Sequence, residues 1–206
     1  MKTTLILMSV LMLMAAVAFG EDSPARTKTV DDLKAAFTGE STASAKYAAY
    51  AKEAAKEGFA KVSKLFEAAS KSEAYHAANH KAVLEQLGAA VPEVTPKFDV
   101  KTTVENLQDA IGGESYEVAT MYPEMLKNVN ASKVIIAGIS FNYAYETEKT
   151  HKILYTRALE ALKAGNESSL SGQYAVCSTC GNTYDATVPN RCGLCMTSKD
   201  RFVMIA

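Results

Sequence analysis

The chain has three histidines, and two of them stand three residues after a glutamate: Glu73-Ala-Tyr-His76 and Glu148-Lys-Thr-His151. On a helix, positions i and i+3 lie on one face, so each pair can converge on one point. One such pair says little, because Glu-x-x-His is common on solvated helices. Two copies require a scaffold that brings both helices to one level. The surrounding sequence suits helices: from Thr27 to about Gly165 it is rich in Ala, Lys and Glu, with apolar residues every three or four positions.

Breaks divide that stretch into four. Gly58 separates a helix over about 28–56 from one over about 60–87, and Gly88 to Lys101, with Pro92 and Pro96, reads as a long connection. A third helix is expected over about 103–127, with Pro123 near its end. Asn128 to Asn130 then turns into a fourth, over about 131–164. Two short turns flanking one long connection describe a mainly α chain, a ferritin-like four-helix bundle with a single crossover.

Glu40 on the first helix and Glu114 on the third are the carboxylates able to complete a site with the two pairs. Glu40 precedes Glu73 by 33 residues and Glu114 precedes Glu148 by 34. In a tight helical hairpin that separation puts both partners at nearly the same height, about 25 Å from the turn. Four glutamates and two histidines at one level form the di-iron carboxylate constellation of such bundles. Oxygen and imidazole ligands suit iron or manganese better than a thiolate-seeking metal. His80 has no glutamate at the same offset and reads as an ordinary histidine, at the surface or packed behind the ligands.

All four cysteines fall in the last 33 residues. Cys177-Ser-Thr-Cys180 and Cys192-Gly-Leu-Cys195 are two knuckles separated by eleven residues. Four thiolates so arranged can close a tetrahedral site for iron or zinc, and ligand type does not choose between the two. Disulfides are the competing reading. Residues 166–173 are small and polar and read as a linker between a bundle over 27–165 and this tail over 174–206.

Lys2, the apolar run Leu5 to Phe19 and the small residues before Glu21-Asp22 have the pattern of a secretory signal over residues 1–20. The run is shorter than the ~20 residues that span a bilayer. Neither a lipid-attachment cysteine nor a twin arginine accompanies it. The expected destination is a bacterial periplasm, with no membrane attachment after cleavage. With 22 basic against 23 acidic side chains there is no basic field for nucleic acid.

Several segments together resemble the rubrerythrin family: FTGES around Glu40, SEAYHA around Glu73 and His76, GGESYEVATMYP around Glu114 and Glu117, and TEKTH ending at His151. The tail, from CSTCGNTYD through CGLC to Lys199 and Phe202, resembles the family's rubredoxin-like domain. The resemblance implies two irons bridged by Glu73 and Glu148, with Glu40 chelating one and Glu114 and His151 completing the other. It implies that the iron held by Glu40 moves between His76 and Glu117 with redox state. Tyr47 and Tyr122 match tyrosines that hydrogen-bond the ligand carboxylates, although either is equally readable as core filler. A third iron, with zinc possible, is implied for Cys177, Cys180, Cys192 and Cys195.

By this resemblance the chain is a peroxidase that reduces hydrogen peroxide to water, with electrons relayed through the tail. Family members place one subunit's tail beside another's di-iron site, which implies a homodimer or larger assembly. Two local departures stand in the tail: a spacer between the knuckles one residue shorter than usual, with Gly193 where a proline is usual, and Ala175 where an aromatic is usual, with Tyr174 one place earlier. The signal is a third departure. Familiar rubrerythrins draw on cytoplasmic NADH, so an exported one needs a different redox protein as donor. The competing functions are a ferritin-like iron-oxidising or oxygen-scavenging protein with a structural zinc tail, and a pure electron carrier.

Overall fold

The computed structural model describes residues 23–206, and the expected leader over 1–20 lies outside them. Ser23 caps the first helix by accepting from the Arg26 amide at 3.1 Å, and Pro24 suits the first turn, where no N–H is needed. Helix α1 therefore spans Pro24–Lys56, starting four residues before the expected position. Gly58, with φ +89°, makes the tight reversal into α2 (Ala60–Gln86). The segment through Pro92 and Pro96 has no regular structure and crosses the bundle end to α3 (Thr103–Tyr116). A reciprocal Thr102–Glu105 capping box starts α3.

The third helix of the bundle is not continuous. Glu117–Met121 forms a π turn, and α4 resumes over Tyr122–Ser132. Asn128 and Asn130 remain helical, contrary to the expected turn, and Asn128 donates to Asp32 on α1 at 2.8 Å. The chain reverses at Lys133, which takes φ +60° and ends the helix as a glycine commonly would. Helix α5 (Ile135–Lys163) completes a ferritin-like bundle in which α1 packs on α2 and α4, and α5 packs on α2, α3 and α4. No helix among the described residues is long and apolar enough to cross a membrane.

The bundle core falls into two apolar clusters. One is built on Tyr47, Tyr50, Phe66, Leu107 and Tyr155, the other on Leu33, Leu84, Tyr122, Met125 and Phe141. On each helix the candidate ligands lie between residues of the two clusters. Glu40 stands between Ala36 and Tyr47, and Glu73 and His76 between Ala69 and Val83. Glu114 stands between Ala110 and Tyr122, and Glu148 and His151 between Ala144 and Leu154. The site is thus a polar layer sealed above and below by apolar side chains.

The segment after α5 is tied down along its length. Glu167, in a short 3-10 turn, accepts from the amides of Lys61 at 2.6 Å and Val62 at 3.2 Å, supplying the N-terminal cap that Phe59 cannot. Lys61 Nζ donates to the carbonyls of Ser168 and Leu170. Strands β1 (Tyr174–Cys177), β2 (Thr183–Asp185) and β3 (Phe202–Ile205) then form an antiparallel sheet in the order β2-β1-β3. Tyr174 and Val176 belong to the bundle's apolar cluster, while Ala175 and Phe202 pack around the cysteines.

Candidate metal centre

Glu40, Glu73, His76 and Glu148 bring one ligand atom each to within 4.8 Å of one another, and so do Glu73, Glu114, Glu148 and His151. All six residues are buried. The two groups share Glu73 and Glu148, and each of these carboxylates divides its oxygens between them. Nδ1 of His76 lies 2.9 Å from Glu73 Oε2 and 2.8 Å from Glu148 Oε1. Nδ1 of His151 lies 3.1 Å from Glu73 Oε1 and 2.7 Å from Glu148 Oε2. Ligands bound at about 2.1 Å to one ion and at right angles to each other would be about 3 Å apart.

The donor set fits a pair of cations. Among the described residues, the buried side-chain atoms without a hydrogen-bond partner include Glu40 Oε2, both oxygens of Glu73, Nδ1 of His76, Glu114 Oε2 and Glu148 Oε1. Buried polar atoms are normally paired, so a cluster of exceptions aimed at one place marks a bound ion. Four carboxylates also balance the charge of two divalent ions.

Without cations the two outer carboxylates favour their protonated forms. Burial pushes the Glu40 carboxyl well above the usual range, with the charges of Glu117, Glu148 and Glu73 adding to it. Glu114 is raised by burial and by the charges of Glu148, Glu117 and Glu73. Burial would raise Glu148 too, but His76 and His151 on either side outweigh it and hold the group at about 2.

Tyrosines set the outer ligands. Tyr47 donates to Glu114 Oε1 at 2.7 Å, and Tyr122 donates to Glu40 Oε1. The π turn makes the second bond possible. At about 100° per residue, eight α-helical steps from Glu114 would leave Tyr122 about 80° around the helix. One extra residue in the π turn returns it to within about 20° of the Glu114 direction. Glu117 is the first residue of that turn. It is half-buried, with Glu114, Glu148 and Glu73 as neighbours, and stands outside both four-residue groups.

The four thiols of the tail form a third group. The Sγ atoms of Cys177 and Cys195, and those of Cys180 and Cys192, are 3.5 Å apart. That is far beyond a disulfide bond at about 2.05 Å, and near the edge of a tetrahedron of thiolates about 2.3 Å from one ion. All four cysteines are free, so the disulfide reading falls. The two local departures have structural partners. The Gly193 amide, which a proline would lack, donates to Tyr184 Oη at 2.8 Å. Beside Ala175, an aromatic lid is supplied by Tyr184 stacked on Phe202, their centroids 5.5 Å apart.

The tail lies against the ligand histidines of its own bundle. Thr183 Oγ1 is 2.9 Å from His151 Nε2, and Ser72 donates to the Gly181 carbonyl at 2.7 Å. A Cβ on Gly181 would fall 2.4 Å from His76 Nε2, so only glycine fits there, and its φ of +79° favours glycine independently. Asn79 donates to the Thr179 carbonyl, and Arg157 pairs with Asp185 at 2.8 Å. The expected exchange of tails between subunits is therefore not required to bring the two sites together. The Glu167 cap on α2 turns the segment back toward its own helices.

Rubrerythrin is the family model that matches, over residues 31–159. The chain belongs to the rubrerythrin family. Rubrerythrin-2 of Clostridium acetobutylicum is 34% identical over 176 residues, covering 84% of this chain and 95% of that protein. Nigerythrin of Nitratidesulfovibrio vulgaris is 30% identical over 182 residues, covering 84% and 85%. A solved structure of nigerythrin in its fully reduced, all-ferrous state superposes with a TM-score of 0.77 at 28% identity, covering 91% of each chain. As in a rubrerythrin, the ligands present are those of a dinuclear iron site and a single iron or zinc site.

Sequence reasoning missed two participants and left a third open. His80, readable as surface or as packed behind the ligands, takes the second place: it is fully buried and hydrogen-bonded to Tyr122 and Ser140. Its place one helical turn after His76 was the available signal. Thr183 and Gly181 left none, because their roles arise only when the tail docks.

Proposed function

We propose that this chain reduces hydrogen peroxide to water, two electrons and two protons per peroxide, with electrons returned one at a time through the four-cysteine tail. The observation that carries this reading is the approach of Gly181, the residue after Cys180, and of Thr183 to the two ligand histidines. A storage protein has no need of a one-electron site there. A pair of ferrous irons, when bound, supplies both electrons at once, so the O–O bond can break without releasing a radical.

The protein residues supply the setting. Glu73 and Glu148 hold the two positions at fixed separation, and the apolar clusters exclude bulk water. Tyr47 and Tyr122 fix the outer carboxylates. Glu117 is half-buried; burial and the charges of Glu148 and Glu73 push its carboxyl up to about 8. It can therefore hold a proton at neutral pH and exchange it with solvent. The family resemblance supports a further role for it, as a ligand alternative to His76.

The N-terminal pattern supports an activity outside the cytoplasm, which would need a redox protein rather than NADH-linked enzymes as donor, and the family resemblance supports a homo-oligomer as the working form. The mass of the mature N-terminus tests the location, and sedimentation of the purified protein tests the assembly.

The deciding experiment reduces the iron-loaded chain anaerobically and compares its reoxidation by one equivalent of peroxide with that by air-saturated buffer. Much faster reoxidation by peroxide is expected. Equal or faster reaction with dioxygen would favour an oxygen-scavenging or iron-oxidising protein.

A further inference from the structure

His80 lies one turn beyond His76 on α2, is fully buried, and belongs to neither ligand group. Both of its ring nitrogens are engaged. Nδ1 is 2.7 Å from Ser140 Oγ on α5, and Nε2 is 3.3 Å from Tyr122 Oη. Tyr122 carries a single hydroxyl hydrogen and donates it to Glu40 Oε1. Its oxygen must then accept from His80, so the imidazole proton is on Nε2. Nδ1 is left to accept from Ser140. Every bond in the chain Ser140–His80–Tyr122–Glu40 therefore points toward the carboxylate. Burial, with the charge of His76, holds the His80 ring down at about 3, so it stays neutral and keeps one donor and one acceptor.

The other outer ligand has no imidazole behind it, only the neighbouring phenol of Tyr155. Tyr47 donates to Glu114, but its ring is surrounded by Tyr50, Phe66 and Tyr155. His80 is held in place by Phe141, centroids 5.4 Å apart, and by Tyr122 at 6.2 Å. In a dry core, successive hydrogen bonds polarise one another, so a three-residue chain makes a stronger donor than a lone phenol.

We propose that His80 is a positioning residue that acts through Tyr122 to fix Glu40 as the ligand of one ion of the pair, giving the two halves of the site unequal affinities. This rests on Glu40 being a metal ligand. Hydrogen-bond partners of metal ligands are worth 10–100-fold in metal affinity. The effect should fall on the Glu40 half alone, because nothing in the chain reaches Glu114.

The test is an anaerobic titration of the full-length chain with cobalt(II), after zinc has filled the cysteine site, followed by visible absorbance. The step lost in Glu40→Gln identifies the Glu40 half. His80→Leu should weaken that step about 10-fold or more and leave the other unchanged. His80→Gln, which keeps an N–H donor near Tyr122, should restore most of it. In a Tyr122→Phe background, His80→Leu should add nothing. The inference is overturned if both steps weaken equally in His80→Leu, if Gln does not rescue, or if the double variant is additive. A wild-type chain that takes up no pair of cobalt ions would overturn the metal-site reading and this inference together. A normal wild-type pair with no effect of His80→Leu would overturn the inference alone.

Discussion

The two halves of the bundle site have the same donor types but different surroundings. On the His151 side the far ring nitrogen is held by Thr183, and the outer ligand Glu114 is tied to Tyr47 within an aromatic cluster. On the His76 side the far ring nitrogen has no hydrogen-bond partner among the described residues and faces the bare backbone of Gly181. There it is the outer carboxylate, Glu40, that is held, and the charge of Glu117 lies close to it. One histidine is pinned and the other is only packed. The difference suggests where ligand exchange would be easiest: the bond to His76 can be given up without breaking a second bond behind it.

The largest effect should come from a residue both halves share. Glu73→Ala removes an oxygen from each position, so metal per chain, measured by elemental analysis, should fall from three ions to one in the tail. Retention of two or three would mean that the halves are independent.

Acidity, which the two halves share, comes next. In the metal-free chain, burial and neighbouring carboxylates raise Glu40 and Glu114 well above the usual range and bring Glu117 to about 8. The folded chain then binds protons that the unfolded chain has released, so its stability falls as pH rises from about 5 to 8. Glu148, held near 2, has the opposite sign below that window, and His80, held near 3, opposes the fall up to about pH 6.5, so the net fall is clearest above that. Melting curves of the metal-free protein should show the fall, and Glu117→Gln should flatten its upper end. Metal replaces those protons, so the loaded chain should show little slope. A metal-free chain equally stable at both ends would contradict the burial of these groups.

Smaller, and opposite on the two sides, are the effects of changing the docked tail. Gly181→Ala forces a Cβ against His76 and into a left-handed backbone, worth about 1–2 kcal/mol before the clash is counted. It should loosen the tail from the bundle, seen as faster proteolysis after Gly165, with the metal count kept. Thr183→Val keeps the shape but removes the bond to His151, and should weaken only the Glu114 half, by about 10-fold. Equal loss at both positions in Thr183→Val would erase the distinction between a pinned and a packed histidine.

Much of this was legible because it depends on local spacing. The i, i+3 pairs and the equal hairpin separations of 33 and 34 residues place Glu40, Glu73, His76, Glu114, Glu148 and His151 at one level without any knowledge of packing. The cysteine knuckles are equally local. The π turn was not legible, because nothing in Glu117–Met121 announces one extra residue. It becomes apparent only when Tyr122 must reach Glu40. Asn128 looked like a turn residue and is helical because Asp32, 96 positions away, receives its amide. The docking of the tail depends on Glu167 capping a helix that begins over one hundred residues earlier, a contact of a kind spacing cannot reveal.

The most direct measurement of the central claim follows the tail iron after a single addition of peroxide. The chain is loaded with iron at all three positions, fully reduced without air, and mixed with one equivalent of hydrogen peroxide in a stopped-flow cell. Two electrons leave the bundle site, and one should then arrive from the tail. The visible absorbance of the oxidised four-cysteine site should grow in a first-order phase whose rate does not change on dilution if each tail serves its own bundle. A tail that stays reduced and colourless would contradict its role as electron donor, and a rate that falls with dilution would contradict its service to its own chain.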